Sequence, residues 1–244
     1  MTYSPEFEAM LNDSRPRHAA PVDVTSNRVG EVLVRRGVNI DQLLEDDGDP
    51  HGKHANIRLA LGVCAEKIPR HYRAAVADVP EIHAWVDALV AGSRRHIVVA
   101  VHTGPSLLLL GPTGVGKTFQ AFGAIRDLAV TGVRARWVAT SAADLYASLR
   151  PRHQVDSETV FDRYAKADVL LVDDLGAAKA TEWTEEVNYR LINHRYEAER
   201  PTLFTSNVRP SELGAALGDR VASRLTEMCQ RVVLKGSDRR RGQQ

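Results

Sequence analysis

The sequence predicts an α/β domain built on a parallel sheet covered by helices on both faces. Three observations support this. Short apolar runs recur along the chain: SLLLLG (106–111), VRARWVA (133–139), DVLLVDD (168–174), PTLFTSN (201–207) and RVVLK (231–235). Their side chains are apolar on successive positions instead of alternating, as strands buried on both faces require. Segments with helical period separate them, at 116–131, 141–149, 157–166, 183–198 and 211–228, and a parallel pair needs a crossover of that size. Finally, a glycine-rich stretch joins the first run directly to the first of these helices.

The elements before the first run are less regular. Residues 1–27 hold three prolines and no period, the pattern of a mobile terminus. VGEVLVRRGVNIDQLL (29–44) reads either as a short amphipathic helix pair or as a strand and a helix, and the acidic EDDGDPHGKH then breaks it. We therefore divide the chain into an N-terminal appendage, residues 1–60, and a main domain, residues 61–244. His51 and His54 lie at the break; without a second ligand pair nearby, a solvated turn is the better reading than a metal site. NIRLALGVCAEKIPRHYRAAV turns helical, and in PEIHAWVDALVAG Pro80 suits a first turn, with Ile82, Trp85, Val86 and Leu89 on one face.

Composition narrows the classes. With 244 residues, 43% of them hydrophobic, the chain can bury a sizeable core. Net charge is +1, with seven Lys/Arg against ten Asp/Glu in residues 1–60, so any contact with nucleic acid must come from a local patch. Cys64 and Cys229 are far apart and form no CxxC pair, which excludes a disulfide framework and a cysteine-rich zinc site. No basic start precedes an apolar stretch, and IVVAV and LLLL are too short to span a bilayer. A soluble, cytoplasmic protein without membrane contact is expected.

The glycine-rich stretch, Gly111-Pro112-Thr113-Gly114-Val115-Gly116-Lys117-Thr118, fits G-x-x-x-x-G-K-[ST] between a strand and a helix. Glycines let backbone N–H groups converge on phosphate oxygens, and the following helix N-terminus adds positive potential. Lys117 would reach the β- and γ-phosphates, and the Thr118 hydroxyl would ligate magnesium. A metal-bound triphosphate also needs an acidic partner at the end of a neighbouring strand, and DVLLVDD ends in Asp173 and Asp174. Asp173 is assigned to the metal and Asp174 to orienting the attacking water as general base. Asn207, closing PTLFTSN, offers a neutral donor and acceptor to the γ-phosphate or the water.

These motifs, in this order, resemble the AAA+ ATPases of the DnaC/IstB type, the helicase loaders and transposition helper proteins. The resemblance runs from about residue 61 to 240 and rests on ADVLLVDDLG, INHRYEAERPTLFTSN and LGDRVASRL beyond the phosphate loop. It implies a P-loop NTPase domain with a five-stranded parallel sheet, ATP and Mg2+ as cofactors, and ATP hydrolysis. It also implies a homo-oligomer in which an arginine of LGDRVASRL completes the neighbour's site; Arg224 is assigned as that finger, with Arg220 one turn away. LKGSDRRR resembles the family's terminal Gly-x-Asp-x-Arg block, making Arg240 a candidate nucleotide contact in cis, or part of a solvated tail. The family places the helix SAADLYASLRPRH towards a central channel, where Tyr146, Arg150, Arg152 and His153 would contact nucleic acid or form an exposed helix end.

The function implied is that of a helicase loader, binding a replicative DNA helicase through residues 1–60 and delivering it to single-stranded DNA under ATP control. The alternative is a transposition helper that binds duplex DNA and recruits a transposase. A third possibility, a module holding ATP structurally, leaves Asp174, Asn207 and Arg224 without a purpose.

Overall fold

The apolar runs become the strands of a single sheet in the computed structural model, which describes residues 27–45, 49, 52–94, 99–151, 156–178 and 180–236. The strands are β1 (Ser106–Leu110), β2 (Trp137–Ser141), β3 (Val169–Asp173), β4 (Thr202–Ser206) and β5 (Cys229–Val233). They lie in the order β2-β3-β4-β1-β5, with every neighbouring pair parallel. The helices are α1 (Asn27–Arg35), α2 (Ile40–Leu44), α3 (Lys53–Lys67), α4 (Pro80–Ser93), α5 (Lys117–Ala129), α6 (Ala142–Leu149), α7 (Ser157–Ala165), α8 (Glu182–Glu197), α9 (Leu213–Leu217) and α10 (Asp219–Met228).

Alternation along each strand sorts the core into two layers. Leu107, Leu109, Leu171 and Leu203 face one layer with Trp85, Leu89, Ile125 and Leu128 of α4 and α5. Leu108, Leu110, Leu170, Val172 and Phe204 face the other, with Leu145, Tyr164, Leu191 and Leu225 of α6, α7, α8 and α10. Local chemistry starts the helices. Ser141 Oγ accepts from Asp144 N at 3.0 Å to cap α6, and Thr181 and Thr184 form a reciprocal capping box on α8.

Two boundaries differ from expectation. The helix expected over 211–228 is two, α9 and α10, because Gly218 between them takes φ 87°, a conformation that ends a helix and that glycine adopts without a Cβ clash. The strand expected at 133–139 starts instead at Trp137. Arg134 pairs singly with Ala100, and the Arg136 N–H donates to Asp168 Oδ2 at 2.8 Å, so side-chain and bridge contacts replace the ladder there.

The N-terminal segment is described from Asn27 onwards. It forms the helix pair α1 and α2, and the expected boundary at residue 60 falls inside α3. Val29, Val32, Leu33, Val38, Leu43 and Ile57 share one core with Leu107 and Ile125, so residues 27–60 pack as part of the main body. Beyond α3, the strip 73–79 is laid along α5. A Cβ on Gly123 would meet Ala77 N at 2.2 Å, and Arg126 donates to the carbonyls of Ala75 and, at 2.6 Å, Arg73.

The fully buried Asp127 on α5 ties these layers together. Arg36 grips it with Nε–Oδ1 2.8 Å and Nη2–Oδ2 2.7 Å, and His83 Nδ1 of α4 lies 2.8 Å from Oδ2. Burial alone would raise this carboxyl, but the bonds from Arg36 and His83 outweigh it and hold the group below its usual range. A depressed carboxyl contributes stability that is complete above the unfolded value of about 3.9 and is lost as pH falls through the lower folded value. Asp127→Asn is therefore expected to cost about 3 kcal/mol near neutrality. Its stability should also fall less steeply than the wild type's below about pH 4, as read by denaturant melts across pH. An equally steep acid limb in the variant would remove Asp127 from this role.

Candidate functional site

Parallel pairing brings the carboxyl ends of β1, β3 and β4 to one edge, where the phosphate loop turns into α5. The loop needs its glycines. Gly111, Gly114 and Gly116 have φ of 150°, 81° and 100°, and a Cβ on Gly111 would meet the Leu234 carbonyl at 2.5 Å. Leu234 is itself held there by its N–H, which donates to Leu110 O at 2.7 Å. Lys117, only 5% exposed, folds over the loop: Nζ donates to Gly111 O at 2.8 Å, to Pro112 O at 2.9 Å, and to Asn207 Oδ1 at the end of β4.

Beside it, Thr118 Oγ1 donates to Asp173 Oδ1 at 2.9 Å, and Thr205 Oγ1 donates to the same oxygen at 2.6 Å. Burial pushes the Asp173 carboxyl above its usual range, against the bonds from Thr205 and Thr118, and the adjacent Asp174 charge adds to the rise. Asp174 has φ 55°, left-handed for a non-glycine residue. Its N–H donates to Thr205 Oγ1 at 2.9 Å, and its Oδ1 lies 3.5 Å from Asn207 Nδ2. Lys117, Thr118, Asp173, Asp174 and Asn207 thus form one connected cluster. Thr205 joins β3 to β4 within it and was not anticipated. Its signal was a hydroxyl inside a strand whose every residue is buried, which must find a partner.

The other candidates lie elsewhere. Arg220 and Arg224 share a face of α10 turned towards α8. The Arg224 guanidinium lies 4.2 Å from the Tyr196 ring centre, and that of Arg220 lies 5.8 Å from the Tyr189 ring centre. Tyr146 does not offer its ring to a base: it is buried, its hydroxyl donates to Asn188 Oδ1 at 2.9 Å, and the helical period puts it on the core side of α6. Arg150 sits 5.4 Å over the ring of Trp183, a residue the sequence had not singled out. Arg152, His153, Arg240 and His51 lie outside the described residues, and His54 is in α3. Among the described residues there is no cluster of three or more His, Cys, Asp or Glu arranged to hold a metal. No helix among them is long and apolar enough to cross a membrane.

Burial of the Asp173 carboxylate outweighs the two hydroxyl bonds it accepts, so its charge costs stability near neutral pH. Asp173→Asn is expected to raise the melting temperature of the protein by a few degrees, as read by thermal denaturation near neutral pH. A lowered melting temperature would show that the carboxylate is there for structure.

Comparison with known proteins gives the family and the fold. The family model described as IstB-like ATP binding protein matches residues 97–244, more than half of the chain. Among curated proteins, the replicative helicase loader DnaI of Bacillus subtilis is 33% identical over 113 residues, covering 45% of this chain and 35% of that one. The chromosomal replication initiator DnaA of Gloeobacter violaceus is 26% identical over 211 residues, covering 82% and 45%. The chain thus spans between a third and a half of the length of these relatives. Of solved structures, the DnaC helicase loader superposes with TM-score 0.57 at 22% identity over 68% of this chain and 100% of that one. DnaI superposes with TM-score 0.56 at 22% identity over 71% and 94%. At that identity these likenesses speak for the fold. The family match, over a sheet and phosphate loop of this form, means that the chain belongs to the IstB-like ATP binding proteins, AAA+ ATPases of the DnaC/IstB type.

Proposed function

We propose that the chain is a magnesium-dependent ATPase acting as a nucleotide switch in DNA replication, a helicase loader that brings a replicative helicase to single-stranded DNA. The observation that carries the reading is the convergence of Lys117, Thr118, Asp173 and Asn207 through direct hydrogen bonds at the edge of three strands. A site that only held a nucleotide would need the loop and the lysine; it would not need Asp174 and Asn207 beside them.

The roles follow from chemistry. Loop N–H groups and Lys117 meet phosphate charge. The Thr118 hydroxyl and Asp173 carboxylate, hard oxygens 2.9 Å apart, suit Mg2+, which would neutralise charge on the β- and γ-phosphates. Asp174 orients and deprotonates the attacking water, and Asn207 hydrogen-bonds the water or the γ-phosphate. Arg224 acts on the nucleotide of a neighbouring copy, with Arg220 nearby, and Arg240 contacts nucleotide in its own chain. Single-stranded DNA meets Arg150, Arg152 and His153, with Trp183 in place of Tyr146 as the aromatic surface.

Residues 1–60 carry the partner surface, and the apolar side chains of Val34 and Leu44 in α1 and α2, 66% and 61% exposed, support this. The helicase as partner rests on the likeness to the helicase loader DnaI.

Hydrolysis tests the chemistry. Lys117→Ala and Asp174→Ala are expected to lower turnover by at least about 100-fold, and equal inactivity of all three proteins, with and without DNA, would sink the catalytic assignments. Capture from cell extract with a non-hydrolysable ATP analogue tests the partner. The wild-type chain should retain the replicative helicase, and a Val34→Asp, Leu44→Asp chain should lose it; a truncation at residue 60 is avoided because it removes part of the core. Retention of a transposase would decide for the transposition helper.

A further inference from the structure

The geometry points to Tyr196 as the residue that holds Arg224 in position for the nucleotide of a neighbouring copy. This rests on the assignment of Arg224 made above and adds the residue that presents it. Arg224 sits midway along α10, which packs on α8, with Val221, Leu225, Leu191 and Ile192 in one core layer. Its guanidinium lies 4.2 Å from the centre of the Tyr196 ring. The Tyr196 hydroxyl donates to Glu227 Oε2 at 2.8 Å, and Ser223 Oγ donates to Glu227 Oε1 at 3.2 Å. Glu227 Oε2 in turn lies 3.7 Å from Arg224 Nη1. Ring, carboxylate and guanidinium form a closed set on the surface of two packed helices.

The manner of holding matters. A carboxylate fork would occupy two parallel N–H donors that a phosphate needs, whereas Tyr196 holds the cation mainly through its ring face, with its hydroxyl also close to the guanidinium. The ion pair to Glu227 is long and solvated, so it orients without neutralising. Arg224 keeps 32% of its side chain exposed, enough for the guanidinium to be met by a second molecule. An arginine tethered in this way has already lost part of the rotamer freedom that binding would otherwise cost. Arg220 differs: its ring partner Tyr189 is 5.8 Å away, at the outer limit of a cation–π contact. Of the two arginines one turn apart, the structure presents Arg224.

Mixing two inactive chains isolates the effect. A Lys117→Ala chain can donate Arg224 but not use it, and an Arg224→Ala chain has an intact loop but no finger; their mixture should hydrolyse ATP. Tyr196→Leu placed in the donating Lys117→Ala chain is expected to lower the recovered turnover about two- to fivefold, with KM for ATP unchanged. The same substitution in the receiving Arg224→Ala chain should leave turnover as it was. Tyr196→Phe, which keeps the ring, should retain most of the activity in either chain, and it serves as the reference should the leucine variant fold poorly. Equal loss from both chains, or no loss from either, overturns the role of Tyr196 while leaving Arg224 in place. A mixture without any recovered activity overturns Arg224 as the shared residue, and this inference with it.

Discussion

Asp173 sets the terms for the geometry of the candidate site, because a carboxylate drawn out of water at the end of a central strand must be surrounded by donors from its neighbours. Thr205 supplies one from β4 and Thr118 another from the first turn of α5. Both bonds exist only if β3 and β4 keep their register, Val172 beside Phe204, and if β1 delivers the loop to the same edge. The parallel direction of β1, β3 and β4 is what brings these ends together. At the opposite end of β4, Arg195 is fully buried among carbonyls of Tyr164, Ala165, Ala167 and Pro201, at 2.8–3.0 Å. Burial pulls that guanidinium down to about 9, and these oxygens take the place of water while fixing where β4 begins.

The N-terminal helices are bound to this arrangement through the helix that leaves the phosphate loop. Asp127 lies ten residues after Lys117 on α5, and Arg36 of the α1–α2 connection reaches it with two hydrogen bonds. The segment proposed to bear the partner surface and the helix bearing the phosphate-binding lysine are therefore in direct, charge-assisted contact. A partner docking on Val34 would press on the same helix whose next residue, Arg35, also approaches Asp127.

What the sequence made legible and what it hid divide along physical lines. The sheet, the loop and the ends of β3 and β4 could be read because their signals are local: runs of apolar residues, glycines at fixed spacing, and acids closing a strand. The Arg36–Asp127 contact spans 91 positions, so no local period announces it. Tyr146 was misplaced for a related reason. An aromatic beside Arg150 looks exposed from its neighbours, yet the helical period sets it with Leu145 and Leu149 on the buried face. The break at Gly218 was hidden because Leu213, Leu217, Val221 and Leu225 keep a helical spacing across it.

That break gives the stretch from Asp219 to Leu234 its use. With α9 stopped at Gly218, α10 can start afresh at Asp219, lie along α8 and run straight into β5, since Met228 is followed directly by Cys229. β5 pairs with β1 over its full length, Cys229 with Ser106 through Val233 with Leu110. Its continuation, Leu234, closes against Gly111 at the base of the phosphate loop. The helix face carrying Arg224 and the backbone beneath the phosphates are thus ends of one short, hydrogen-bonded stretch of chain. If a neighbouring copy engages Arg224 as proposed, any displacement of α10 would pull on β5 and on its ladder to β1. Through Leu234 that strain would reach Gly111 at the base of the phosphate loop.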